Sequence, residues 1–156
     1  MPPKKKNKTT DTYDSYPIKI LSWIPSSSVS LNKERRLGVG PYSEHHSINI
    51  QGELLGPEKV AGRKIDVTLI ADRWMSKAMT SDDIFEKDPL AIGGISSRGN
   101  DSNYLGSIPF DIFPAVLSML AAGKYNYLSL HGKSLRYGKA AIEYLRFEEE
   151  LDPDEI

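Results

Sequence analysis

The sequence predicts a mainly β domain, a β-sandwich or partly open β-barrel of about six to eight strands with one buried α-helix near residues 111–123; an α+β arrangement is the alternative. Three observations carry this. Apolar and polar residues alternate with a period of two in several stretches, most cleanly at Ile48, Ile50 and Leu54 and again at Ile65, Val67 and Leu69. Glycine and proline recur between these stretches and cut the chain into short segments. One run, Ile112 to Ala122, is apolar but for Ser118, the composition of a helix surrounded by core.

Taken in order, residues 1–16 contain Pro, Lys, Thr, Asp, Ser and Asn with Tyr13 and Tyr16, too few apolar groups to offset chain ordering, and are expected to form a flexible basic arm. A single domain over 17–150 follows, and 151–156 form an acidic tail. The first strand covers 18–24 and is expected to stop at Pro25 and the Ser26-Ser27-Ser28 triplet. Residues 26–44 read as a long loop. The alternating stretches 48–55 and 64–73, separated by Gly56-Pro57, predict a hairpin. Thr80-Ser81-Asp82-Asp83 supplies capping side chains for one or two helical turns before Asp88-Pro89. Residues 90–95 and 104–110 read as strands on either side of a polar, turn-prone loop at 96–103.

Asp111 is placed as an N-cap, Pro114 is tolerated in the first helical turn, and Gly123 is the stop. Residues 126–131 form a strand. For 139–150 local propensity favours helix, but a last strand closing on the Tyr127 segment would satisfy an otherwise unpaired edge, and strand is the reading adopted.

The net charge is -1, yet Lys4, Lys5, Lys6 and Lys8 crowd one end and Glu148, Glu149, Glu150, Asp152, Asp154 and Glu155 the other. Between these clusters acidic and basic residues nearly balance, which argues mildly against a nucleic-acid-binding surface on the folded part. There is no cysteine, so thiolate metal sites and disulfides are excluded. No apolar run approaches the roughly 20 residues of a membrane span. A cytoplasmic location away from the membrane is therefore expected.

Few motifs point to chemistry. His45-His46 stands before a strand and, with His131 or Asp66, could contribute to a metal site; consecutive strand residues face opposite sides, so a solvated pair is the simpler reading and no metal is expected. No G-x-S-x-G elbow is present. Gly93-Gly94-Ile95-Ser96-Ser97-Arg98-Gly99 lacks the pattern and strand-to-helix context of a phosphate loop. Capping accounts for Asp82-Asp83, and Glu143 needs no acid-base role. Arg73-Trp74 and Arg35-Arg36 are residue types enriched at interaction hot spots, although a buried Trp74 covered by the Arg73 stem is the simpler packing reading.

The expected function is a protein-interaction module without a catalytic site or cofactor, a component or regulator of a larger assembly. It would contact a protein partner through Arg35, Arg36, Arg73, Trp74 and Arg98, with residues 26–44 and 96–103 as presenting loops. One alternative is a nucleic-acid-binding accessory protein using the Lys4, Lys5, Lys6 and Lys8 arm, helped by Lys59, Arg63, Lys64 and Arg73. Another is an enzyme or small-ligand binder with a pocket between sheet and helix lined by Tyr125, Tyr127, His131 and Tyr137.

Overall fold

The period-two stretches form seven strands, and these close on themselves. In the computed structural model, which describes residues 11–33, 40–78 and 90–155, they are β1 (Tyr13–Leu31), β2 (Tyr42–Leu54), β3 (Lys64–Asp72), β4 (Gly93–Arg98), β5 (Asp101–Pro109), β6 (Tyr127–Lys133) and β7 (Lys139–Glu148). Two helices join them, α1 (Arg73–Ala78) and α2 (Phe113–Ala121). The strand order is β1-β2-β3-β5-β4-β7-β6, and β6 pairs back onto β1. Only β3 and β5 run parallel. The mainly β expectation holds, and the ring is closed rather than partly open. No helix among the described residues is long and apolar enough to cross a membrane.

The predicted hairpin is β2–β3, with Ile50 opposite Val67 and Ile48 opposite Leu69. Those side chains are wholly buried with Tyr16, Ile18, Leu54, Ile108, Leu128, Leu130 and Ile142. β7 is a strand, pairing Tyr127 with Glu148 and Leu130 with Leu145.

β1 departs most from expectation. It begins at Tyr13, inside the segment assigned to the arm, because Tyr16 is buried and donates its hydroxyl hydrogen to the Lys133 carbonyl at 2.8 Å. It also runs through Pro25 and the serine triplet to Leu31 instead of stopping. The hydrogen bonds explain why. Leu54, an inward-facing residue of β2, turns both its N–H and its carbonyl to the β3 side, bonding Arg63 and Gly62. By the period of two Ile48 does the same, so Pro25 opposite it needs no N–H towards β2. An extra residue, Leu21, sits between the pairs Ile20–Gly52 and Ser22–Gln51 and bends β1 from β6 towards β2.

Beyond that bend, residues 27–31 and 42–46 pair, among the described residues, only with each other, as a two-stranded ribbon projecting past the ring. The described part of the long loop expected over 26–44 is therefore mostly strand, and residues 34–39 lie outside the described residues. The loop expected at 96–103 is likewise a hairpin, in which β4 reaches Arg98 and turns at Gly99, whose φ is +58°. Its serines explain the polarity: Ser97 and Ser102 are buried against each other at 2.6 Å, and Arg63 donates to Ser97 at 2.8 Å.

Asp111 is not a cap. Phe110–Ile112 form a 3-10 turn, and α2 starts at Phe113 with Pro114 in its first turn. Gly123, at φ +68°, ends it as expected, and the Lys124 N–H reaches the Met119 carbonyl at 2.9 Å. The helix buries Phe113, Val116 and Leu120 while Ser118 and Met119 face outward. It covers one mouth of the ring, and among the described residues only one of its sides is packed. α1 occupies the end of the segment read as strand, since the Asp72 carboxylate accepts from the Trp74 and Met75 N–H groups at 2.8 and 3.2 Å. Asp82 and Asp83 lie outside the described residues. At the far end, Pro153–Glu155 form a 3-10 turn.

Tyr104 is the largest inward side chain of β5, and a Cβ at Gly106 or Gly93 would collide with its ring. Its hydroxyl has no hydrogen-bond partner among the described residues. Opposite outcomes are expected at this contact. Gly106→Ala should lower unfolding free energy by about 1–3 kcal/mol through overpacking, whereas Tyr104→Phe should raise it by about 1 kcal/mol by removing an unpaired buried hydroxyl; urea denaturation measures both.

Burial, with the Asp14 charge second, pushes the Tyr16 hydroxyl up to about 12, and burial raises Tyr104 as well. Both stay protonated in the fold after the unfolded chain has begun to ionise near pH 10. Stability should therefore be full below about pH 10 and fall as pH rises from there. Tyr104→Phe should make the fall shallower in alkaline unfolding followed by circular dichroism.

Candidate functional site

The ribbon continues the inner faces of β1 and β2 beyond the ring, where no described residue forms a core to receive them. Ser27, Val29 and Leu31 on β1 lie opposite His46, Glu44 and Tyr42 on β2. Val29 is 73% exposed, Leu31 59% and Tyr42 69%. Nearer the ring, polar groups tie the ribbon to α1 and to the turn before α2. His46 has Nδ1 at 2.8 Å from Ser27 Oγ and Nε2 at 3.2 Å from Glu44 Oε2. Its ring meets Phe110 edge-on, with centroids 5.5 Å apart, and lies 5.9 Å from Phe113. Arg73 pairs with the Glu44 carboxylate and places its guanidinium 3.8 Å from the Phe110 centroid. His46 first, then Arg73, hold the Glu44 carboxyl below its usual range.

Trp74, next to Arg73, is 60% exposed. The packing reading in which the Arg73 stem covers it is therefore corrected: that stem reaches across to Phe110 and Glu44, leaving the indole in solvent. A shallow cavity of about 320 Å³ lies alongside, lined by Arg73, Ser76, Lys77, Phe110 and Asp111.

The remaining candidates scatter. Arg98 ends β4 beside Gly138, away from Arg73 and Trp74. Arg35 and Arg36 fall between the two ribbon strands in sequence, outside the described residues, as do Lys4, Lys5, Lys6 and Lys8. His131 lies against Tyr144 at 5.2 Å, and Asp66 is exposed on β3 opposite Gln51. Among the described residues no group of three His, Asp or Glu side chains is placed to hold a metal.

The four residues proposed to line a pocket between sheet and helix do not converge. Tyr125 stacks on Phe147 at 5.1 Å, Tyr127 is half-buried, His131 meets Tyr144, and Tyr137 stands in solvent at a turn. The space under the helix holds Phe113, Val116 and Leu120. A larger cavity of about 570 Å³ on the outside of β2, β3 and β5 is lined by Gln51, Lys64, Asp66, Asn100, Asp101 and Asn103 among others. Of its hydroxyls, Ser102 is engaged with Ser97, and no histidine lines it.

Sequence reasoning missed Val29, Leu31 and Tyr42, because their significance depends on the ribbon rather than on residue type. Comparison with protein families, with curated proteins and with solved structures gives no match. Fold and surface together define a closed mainly β protein with an apolar ribbon face joined to an exposed tryptophan. The bond between Glu44 and Arg73 should hold above the normal carboxylate pKa and fail as pH falls through the depressed value. Protection factors from hydrogen exchange at residues 42–47 should drop in the wild type only once pH falls below the ordinary carboxylate range, and Glu44→Gln should show the lower protection at neutral pH.

Proposed function

We propose that this protein is a non-catalytic protein-interaction module that receives its partner on the ribbon face and Trp74. The observation that carries the reading is the grouping of large apolar side chains, Val29, Leu31 and Tyr42, in solvent on one face of a ribbon whose base is fastened to the helix bearing Trp74. Single exposed apolar residues are ordinary, whereas a group on one projecting element is characteristic of an interaction site. Tryptophan and tyrosine are also the types that dominate interface energetics.

Arg73 acts here as a positioning residue, since its charge is satisfied by Glu44 and its plane by Phe110. The ribbon base is thus ordered before a partner arrives, which lowers the entropy lost on binding. A cytoplasmic assembly is the setting proposed, and the reading requires no cofactor.

The test is recovery of partners from native extract on the immobilised full chain, with mass-spectrometric identification. A specific protein should be retained by the wild type and reduced about tenfold or more by Trp74→Ala and by Leu31→Ser combined with Tyr42→Ser. These side chains are exposed, so the melting temperature should hardly change. Equal recovery by wild type and all variants would remove this face as the interface.

A further inference from the structure

The end of the ring opposite the ribbon carries the cations Lys133, Arg136, Lys139 and Arg98 beside the acids Asp11, Asp14 and Asp101, and its most prominent side chain is a tyrosine in an unfavourable backbone conformation. Beyond β6 the chain reaches Arg136, Tyr137, Gly138 and Lys139, a tight turn in which the Arg136 N–H donates to the Lys139 carbonyl at 2.8 Å and the Lys139 N–H returns to Arg136 at 3.1 Å. Both central residues have positive φ, Tyr137 at +53° and Gly138 at +74°. Such turns suit the twist of a hairpin and favour Asn-Gly, Asp-Gly or Gly-Gly.

Gly138 has a local reason, because a Cβ there would lie 2.8 Å from the Ser97 carbonyl oxygen. Tyr137 has none. Its side chain is 90% exposed, so packing gives nothing back for the strained backbone. A side chain kept in a costly conformation without structural return points to a role in binding.

Its surroundings indicate what is bound. Arg136 and Lys139 flank the ring in the turn, and the Arg98 side chain lies against Gly138. A groove of about 450 Å³ runs past Arg136 and Lys139, lined also by Asp11, Thr12, Lys133 and Ser134. Lys133 Nζ is 3.5 Å from the Asp11 carboxylate, while Arg98, Arg136 and Lys139 make no ion pair with a described residue. Asp14, opposite Gly132, and Asp101, opposite Arg98, are further acids nearby.

We infer that this end binds single-stranded nucleic acid, with phosphates along Arg98, Arg136, Lys139 and Lys133 and a base stacked on Tyr137. An acidic peptide would satisfy the cations but leave the tyrosine unexplained. A duplex would present phosphates but hide the faces of its bases. Cations beside a free aromatic ring match a strand whose bases are unstacked. The site lies at the opposite end from the ribbon and is independent of the protein partner proposed there.

The test is fluorescence anisotropy of the full chain with a labelled oligo-dT of about 20 nucleotides at about 50 mM salt. Tyr137→Asn deletes the ring and installs a residue the turn prefers, so its melting temperature should not fall. It should weaken oligo-dT binding about 5- to 10-fold and leave binding to an abasic strand of equal length unchanged. Arg136→Gln combined with Lys139→Gln should weaken both and reduce the salt slope by about 0.7 per cation removed. A duplex of equal length should bind less tightly than oligo-dT, and Trp74→Ala should bind oligo-dT like the wild type. No anisotropy change with the wild type, or equal oligo-dT binding by Tyr137→Asn, would overturn the inference. So would polyglutamate binding as tightly as oligo-dT, which would assign this end to an acidic protein instead.

Discussion

The structure depends on one strand serving two ladders. β1 pairs with β6 from Tyr13 to Lys19 and with β2 from Ile18 to Leu31, so only Ile18 and Lys19 belong to both. This stagger closes the ring, since a sheet becomes a cylinder only when its strands tilt and their registers slip. Leu21 makes the slip possible, because the extra residue turns the strand where it changes partner. The ribbon is a consequence of the same geometry. Beyond Ser26, β1 and the start of β2 have no further described strand beside them and extend past the ring.

Closure also decides where function can reside. A ring of this size is filled by its own side chains, and here Tyr16, Tyr104 and the paired isoleucines and valines of β2 and β3 fill it, with Phe113, Val116 and Leu120 closing one mouth. Binding is left to the ends and the outer surface. At one end, turns bring together Arg98, Arg136 and Lys139; at the other, the ribbon, α1 and the turn before α2 gather Tyr42, His46, Arg73 and Trp74. Of the residues nominated from sequence as a single interaction surface, Arg73 and Trp74 are thus separated from Arg98 by the register of the strands.

The parts of the fold legible in the sequence were those governed by side-chain alternation. Ile48 and Ile50 against Val67 and Leu69 announce their hairpin because one face is core and the other water. β7 was legible through the requirement that an edge find a partner. What escaped notice depends on backbone direction. Pro25 ends a strand only if its nitrogen faces a partner, and here it faces away. Leu21 and Glu143 each add one residue and reverse the alternation beyond them. In β7 this lets Ile142 be buried and Leu145 still pack on the core, side chains that strict alternation places on opposite faces. Gly132 accommodates that bulge, for a Cβ there would strike the Ala141 carbonyl. At the candidate sites, residue type pointed to Trp74, while the exposure of Val29 and Leu31 and the positive φ of Tyr137 became visible only in three dimensions.

The charge asymmetry of the chain acquires a spatial meaning from β6. Tyr127 at its start lies opposite Glu148, and Lys133 at its end lies opposite Tyr13. The acidic segment is fastened at the first end, where Glu149 reaches Lys124 at 3.4 Å and its carbonyl accepts from Asn126 at 3.2 Å. Seven extended residues separate the ends by about 20 Å, more than twice the screening length of about 8 Å at physiological ionic strength. The fastened acids of one molecule therefore do little to neutralise the cations around Tyr137. A near-zero net charge conceals an uneven placement of charge, and Arg98, Arg136 and Lys139, which pair with no described acid, can meet a polyanion despite the overall balance.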